Sequence, residues 1–279
     1  MRFRLFRRLA ASLLILTLAA VFLAGQQCRI QTEEIAVLDS RIPAGFDGFR
    51  IVQITDLHGG VWGDGDNKRL LAAVSAARPD LIVLVGDIVD EHSDLNTLGP
   101  LAGALAALAP TYYVTGNHEW ATKQVNGIKT TLRSHGVTVL ENDVVPLERN
   151  GSVVCLMGVD DPNGPHRTQE TLPQMMTEAR AGWGDPYTIL LAHRNDEYEV
   201  SAQFQVDLTL SGHAHGGLIR LPFTDGLIST RRTLFPDHTA GLYPLEYGQL
   251  MVSRGLGNIP PMFRLFNRPH LPVLVLRAP

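Results

Sequence analysis

The order of apolar runs and turn residues predicts an α/β protein of four layers, with two β-sheets packed face to face and helices outside, an αββα sandwich. Three observations carry that expectation. Residues 81–85 are uninterruptedly apolar, as expected of a strand covered on both faces. Strand-like and helix-like stretches alternate between residues 49 and 134, the pattern of a parallel sheet with crossover helices. After Val137 short strand-like runs recur around one helical stretch, which is material for a second sheet.

In chain order, residues 49–54 form a β-rich run. Residues 67–78 carry Leu70, Leu71, Val74 and Ala77 at helical spacing and stop at Pro79. The strand at 81–85 follows. Residues 95–109 read as helix despite Gly99, Pro100 and Gly103, with Pro110 as the stop; 111–115 is a third strand and 121–134 a further helix. Short strands are expected at 137–140, 144–147 and 153–157, a helix at 168–180, and strands at 187–191 and 206–210. From Leu218 onward the segments are short and β-like, separated by Gly and Pro. No repeat or linker divides this part, so residues 31–279 are expected to form one domain and residues 1–30 a separate segment.

The 279 residues are 45% hydrophobic and 19% charged, enough apolar material for a sizeable core and unlike a disordered chain. Two cysteines, Cys28 and Cys155, exclude a disulfide scaffold, and pairing between them is not expected. Arg2, Arg4, Arg7 and Arg8 are the only charges in the first 24 residues; 20 basic against 28 acidic residues remain, a net −8 that argues against a nucleic-acid partner. Residues 9–24 form an uncharged run, about 24 Å as a helix against a hydrocarbon core of ~30 Å. It reads as a retained membrane anchor, with a cleaved signal peptide as the alternative. In either case the arginines stay in the cytoplasm and the rest of the chain lies beyond the cytoplasmic membrane, extracytoplasmic or secreted.

The strand ends carry the chemistry. Asp56-Leu57-His58 follows the first strand, Gly86-Asp87-Ile88-Val89-Asp90 the second and Gly116-Asn117-His118-Glu119 the third. Asp56, Asp87 and Asn117 stand 31 and 30 residues apart, one βαβ unit each, so they are expected in one crevice at the carboxyl edge of a parallel sheet. His193 ends a later strand, and Gly212-His213-Ala214-His215 ends the next. Two carboxylates, an amide oxygen and four imidazoles suit Mn, Fe or Zn better than Ca. Taken singly, Asp56 and Asp87 read as turn or cap residues and His193 as a structural histidine. Together they would be seven coincidences in a fixed order.

These five ordered blocks closely resemble the calcineurin-like metallophosphoesterase superfamily over about residues 45–279. The extensions Gly216-Gly217 and 253–257 look like a membrane-associated bacterial branch of it. The resemblance implies that Asp56, His58, Asp87 and His215 hold a first divalent ion. Asp87 would bridge to a second, completed by Asn117, His193 and His213, with His118 beside the phosphate. Two such ions against two carboxylates leave a surplus of positive charge suited to a hydroxide and a phosphate anion, with the hydroxide as nucleophile. His118 is then expected to protonate the leaving oxygen and Glu119 to orient it. Asp90 fits either direct or supporting contact. His92, His135, His166 and His238 are expected at the surface, and Trp62, Trp120 and Trp183 in packing. Two departures from the family are Arg194-Asn195-Asp196 where Pro is frequent, and His270 where Glu is common.

The expected reaction is hydrolysis of a phosphodiester or pyrophosphate bond in a small-molecule or lipid-linked substrate. Alternatives are a UDP-linked lipid-A-precursor pyrophosphohydrolase and, from another class, an inactive metal-binding scaffold. In residues 260–268, apolar side chains alternate with Arg264 and Arg268 and could touch a bilayer or a lipid phosphate; a loop folded onto the domain is the simpler reading.

Overall fold

The computed structural model describes residues 2–63, 65–217, 219–220, 225–228, 233–257 and 263–279. Its helices are α1 (Arg2–Cys28), α2 (Lys68–Ala76), α3 (Leu98–Ala106), α4 (Asn117–Ala121), α5 (Val125–Ser134), α6 (Thr168–Trp183) and α7 (Tyr198–Gln203). The strands are β1 (Gln31–Leu38), β2 (Arg50–Ile54), β3 (Leu81–Val85), β4 (Thr111–Val114), β5 (Thr138–Val139), β6 (Asp143–Arg149), β7 (Ser152–Gly158), β8 (Tyr187–Arg194), β9 (Leu208–Gly212), β10 (Gly241–Pro244), β11 (Gln249–Val252) and β12 (His270–Arg277).

One sheet runs β1-β12-β2-β3-β4-β5, with β2 to β5 parallel. The other runs β10-β11-β9-β8-β7-β6, with β11, β9, β8 and β7 parallel. The five residues of β3 show how the layers form. Leu81, Val83 and Val85 point between the sheets, against Leu156, Ile189, Leu191, Leu208 and Leu210. Ile82 and Leu84 point the other way, onto Leu70 and Val74 of α2, Leu101 and Leu105 of α3, and Ile128 and Leu132 of α5. The second sheet repeats this outside, where Met157 and Leu190 meet Leu172, Met175 and Met176 of α6. This is the predicted four-layer αββα sandwich, and side-chain alternation within strands buried on both faces produces it.

Several boundaries differ from the sequence reading. The helix expected at 121–134 is two helices: α4 starts at Asn117, and Lys123 at φ 58 separates it from α5. β1 was not anticipated, because its alternately exposed, polar start (Gln31, Glu33, Glu34) is that of an edge strand ordered by pairing with β12. The helix that holds residues 9–24 offers a longer span: Phe6–Cys28, which includes Arg7 and Arg8, is 23 residues long and on average apolar enough to cross a membrane. At about 1.5 Å per residue that reaches roughly 34 Å and removes the shortfall. Both cysteines are free. Of the β-like segments expected beyond Leu218, residues 218, 221–224 and 229–232 lie outside the described residues, as do residues 260–262 of the 260–268 stretch.

Candidate metal centre

Five loops bring the predicted side chains to one crevice. Asp56 and His58 leave β2, Asp87 leaves β3, Asn117 and His118 open α4 after β4, His193 lies near the end of β8, and His213 and His215 follow β9. Backbone bonds lace the first two loops together: Asp56 N–H to Gly86 O at 3.1 Å, His58 N–H to Asp87 O at 3.0 Å and Gly59 N–H to Ile88 O at 2.9 Å. Fourteen described non-glycine residues have positive φ, and five of them are Asp56 (49°), His58 (49°), Asp87 (51°), His213 (64°) and His215 (48°). The left-handed region costs on the order of 1 kcal/mol for each, a concentration of strain typical of a functional site. Gly86 takes φ +72°, and a Cβ there would lie 2.6 Å from His193 Nδ1. At Gly212 a Cβ would lie 2.2 Å from Thr55 Oγ1 and 2.4 Å from Asp56 Oδ2.

The ligand-type atoms fall into overlapping groups, Asp56–His58–His215, His58–Asp87–His118 and Asp87–His193–His213, each within 4.8 Å. His58 Nε2 and His215 Nε2 are 3.3 Å apart, and His215 Nε2 is 3.4 Å from Asp56 Oδ1. Asp87 Oδ2 is 3.0 Å from His193 Nε2 and 4.0 Å from His58 Nε2. Asn117 sits between Gly116 and His118, whose N–H donates to Asp87 Oδ1 at 2.8 Å. The buried Asn117 Oδ1 has no hydrogen-bond partner among the described residues.

These contacts fit divalent cations. His193 Nδ1 donates to Val85 O at 2.9 Å, which leaves Nε2 aimed at a carboxylate oxygen; burial pulls His193 down, but Asp87 outweighs it and raises the imidazole to about 10, so a proton lies between the two. A divalent cation can take that proton's place, with the orphaned amide oxygen nearby as a further donor. Burial lowers His58 to about 4 and His213 to about 3, and puts His215 well below the ordinary imidazole value. All three are therefore neutral lone-pair donors at neutral pH. Burial raises Asp56 to about 6. It opposes charge on Asp87 too, but the facing His193 holds that carboxylate well below its usual range.

The supporting residues partly differ from expectation. Glu119 does not orient His118: it is wholly buried and accepts backbone N–H groups of Asp87, Ile88, Val89 and Gly116 at 2.7 to 3.2 Å. His118 Nδ1 instead pairs with Glu91 Oε2 at 2.8 Å. Nothing local in the sequence links Glu91 to a histidine 27 positions later, so this pairing is visible only in the fold. Asp90 stands behind His58, its Oδ2 3.7 Å from Nδ1, while Oδ1 accepts from Ser93 Oγ. Arg194 is held by Asp161 through Nε at 2.8 Å and Nη2 at 3.1 Å. His270 is buried and faces Glu33 Oε2 of β1 at 3.2 Å. His92, His135 and His166 are exposed, whereas His238 is half-buried between Tyr198 and Tyr243. Arg264 is also turned inward, only 4% exposed, and donates to the carbonyls of Asn267, Arg254 and Gly257. For this residue the simpler expectation of a loop folded onto the domain holds, and the alternative of a lipid-phosphate contact does not: the guanidinium closes a loop.

The description "calcineurin-like phosphoesterase" matches residues 49–217. The metallophosphoesterase YkuE of Bacillus subtilis is 31% identical over 255 residues, 89% of this chain and 86% of that protein. A transmembrane protein with metallophosphoesterase domain from Bos taurus is 32% identical over 278 residues, covering 95% of this chain and 60% of the relative, so this chain spans about three-fifths of that protein. Phosphodiesterase YaeI of Escherichia coli is 29% identical over 211 residues, 71% of each chain. The matched stretch opens at the start of β2 and closes two residues after His215, enclosing every loop that meets in the crevice. The chain belongs to the calcineurin-like phosphoesterase family.

Proposed function

We propose that this protein is a phosphodiester hydrolase that works with two divalent metal ions. One observation carries the reading: Asp87 Oδ2 faces His193 Nε2 at 3.0 Å and His58 Nε2 at 4.0 Å, so a single carboxylate serves two ligand groups. Asp56, His58, Asp87 and His215 would hold one ion, and Asp87, Asn117, His193 and His213 the other. The mixture of carboxylate, amide and imidazole suits Mn, Zn or Fe. When bound, such a pair would supply a clamp on the phosphoryl oxygens and a source of hydroxide, the nucleophile, near neutral pH.

The chain's own residues supply the rest. With Nδ1 committed to Glu91, His118 keeps Nε2 to protonate the departing oxygen, a contribution of typically ~10²–10⁴-fold. A diester, with one negative charge and an alkoxide to protonate, matches that arrangement better than a monoester dianion. The relative named as a phosphodiesterase supports the preference. The substrate is a small-molecule or lipid-linked phosphoester. Residues 1–30 are the membrane anchor and 31–279 the catalytic domain; the arginines before the apolar stretch favour an extracytoplasmic domain, which a reporter fused at the C-terminus tests.

The decisive experiment loads the purified protein with Mn, Zn or Fe, counts bound metal, and assays a chromogenic diester, a monoester and a nucleotide-sugar pyrophosphate. Asn117→Ala and His118→Ala should each cut diester turnover by about 100-fold or more. Asn117→Ala should also fall below two equivalents of metal while His118→Ala keeps both. A wild type that binds one equivalent, or equal turnover in all three proteins, overturns the reading.

A further inference from the structure

Large apolar side chains crowd the surface where α1 meets the domain. Phe263 is 46% exposed, Phe266 47% and Val61 42%. Val61 and Trp62 line a cavity of about 340 Å³ together with Gln27 and Cys28 at the end of α1. Phe266 reaches back along the helix: its ring packs on Phe22 with centroids 5.6 Å apart. Phe22 lies within the 23-residue stretch apolar enough to cross a membrane. It is six residues before Cys28, about 9 Å along the axis. A ladder of backbone bonds extends the surface sideways: Arg220 N–H to Leu265 O at 3.1 Å, Leu227 N–H to Ile219 O at 2.7 Å and Phe235 N–H to Leu227 O at 3.0 Å. It ends at Leu234 and Phe235, which are 66% and 69% exposed.

The loop is also fixed to the helix. The Gln27 side chain and the Arg264 backbone exchange two hydrogen bonds, Nε2–H to O at 2.6 Å and N–H to Oε1 at 3.1 Å. Arg268 donates to the carbonyls of Arg29 and Ile30, both at 3.2 Å. Arg69 lines the same cavity as Gln27. Arginines thus gather at the level of the helix end, with aromatic rings lying further back along its apolar part. A lipid leaflet offers matching layers, phosphate and then acyl chain.

We propose that the 263–268 loop, with Val61 and Trp62, is seated in the lipid leaflet from which α1 emerges, a membrane contact in addition to the helix itself. Phe263 and Phe266 lie among the acyl chains, and Arg29, Arg69 and Arg268 at the phosphates. The occupant follows from continuity: the surface abuts a helix apolar enough to be in lipid, and Phe22 belongs to both. The contact also fixes the metal centre relative to the leaflet, because Asn267 in this loop donates Nδ2–H to His215 O at 2.7 Å. It holds whichever ester the centre cleaves.

The test uses the full chain in nanodiscs of phosphatidylcholine and phosphatidylglycerol, in a Cys28→Ser background. A nitroxide is placed by Phe266→Cys or, as a control, by Leu38→Cys at the far end of β1. Collision with oxygen should dominate at position 266 and collision with a water-soluble nickel chelate at position 38. A label at 266 as open to nickel as the control overturns the proposal; shielding from both reagents, the mark of a protein partner or second copy, overturns it equally. If labelling at 266 disturbs folding, quenching of Trp62 by brominated lipid chains in a Trp120→Phe, Trp183→Phe protein reads the same contact, and absence of quenching sinks it. Neither readout depends on hydrolysis, so an inactive enzyme and an undocked loop give different results.

Discussion

The Glu119 carboxylate accepts the backbone N–H of Asp87 at 2.9 Å, from a position with no exposure to solvent. The N–H groups of Ile88, Val89 and Gly116 meet the same carboxylate, so one side chain ties the loop after β3 to the loop after β4 and fixes Asp87 from behind. Burial raises Glu119 to about 7, so this buttress is held at a cost. Glu119→Ala leaves four buried donors without their acceptor. At about 1–3 kcal/mol for each unsatisfied group, partly offset by relaxation, the net loss should be on the order of 3–5 kcal/mol. Thermal unfolding should show a Tm roughly 10 °C lower. Glu119→Gln, which keeps one acceptor oxygen, should fall between the two proteins.

His118 is raised above the ordinary imidazole value: burial pulls it down, but Asp87 and then the Glu91 hydrogen bond outweigh that. In its proposed role as general acid His118 must carry its proton, so turnover should fall as pH rises through the pKa of His118. Glu91→Gln removes a charge that stabilises the imidazolium. The alkaline limb of the kcat profile should therefore move to lower pH, with metal content unchanged. A limb that stays in place would assign the proton to another group.

Much of this centre is legible in the sequence for a physical reason. Strands buried on both faces must be apolar throughout, so residues 81–85 stand out, and polar residues directly after such runs, Asp56, Asp87 and His193, are marked by contrast. The parts that were not legible depend on distant pairing. Glu119 and His118 are adjacent in sequence, yet one serves four backbone N–H groups and the other pairs with Glu91. The stretch around Arg264 reads most simply as a loop folded onto the domain, but its partners, the Arg254, Gly257 and Asn267 carbonyls, are set by distant pairing. β1 is polar enough to pass for a linker and becomes a strand through its eight-residue register with β12.

Gly212→Ala tests how closely the centre is packed. A Cβ at this position would lie 2.2 Å from Thr55 Oγ1 and 2.4 Å from Asp56 Oδ2, and both residues are wholly buried. The added methyl must displace Asp56, which also accepts the His213 N–H at 3.0 Å. Overpacking of this kind costs about 1–3 kcal/mol, or about 2–4 °C of Tm per kcal/mol in a chain near this size. Because the displaced residue is a proposed ligand, metal titration should show weaker binding even at temperatures where the variant is folded.

Arg264 and Arg268 stand four positions apart and should respond differently to truncation. Arg264 Nη1 donates to Asn267 O at 3.2 Å, and Nη2 to Arg254 O at 3.0 Å and Gly257 O at 2.6 Å. Arg264→Ala strands these carbonyls and should cost on the order of 3 kcal/mol. Arg264→Lys should recover only part of it, because one ammonium cannot span three carbonyls as a planar guanidinium does. The loosened loop carries Asn267, which holds the His215 carbonyl, so added metal should restore less stability to the Ala variant than to the wild type. Arg268 is half-buried and donates to Arg29 and Ile30 at the foot of α1. Its truncation should cost about 1 kcal/mol or less and leave the metal response intact. Calorimetry of both variants with and without metal separates the outcomes; equal losses for the two arginines would mean that the inward contacts of Arg264 do not brace the centre.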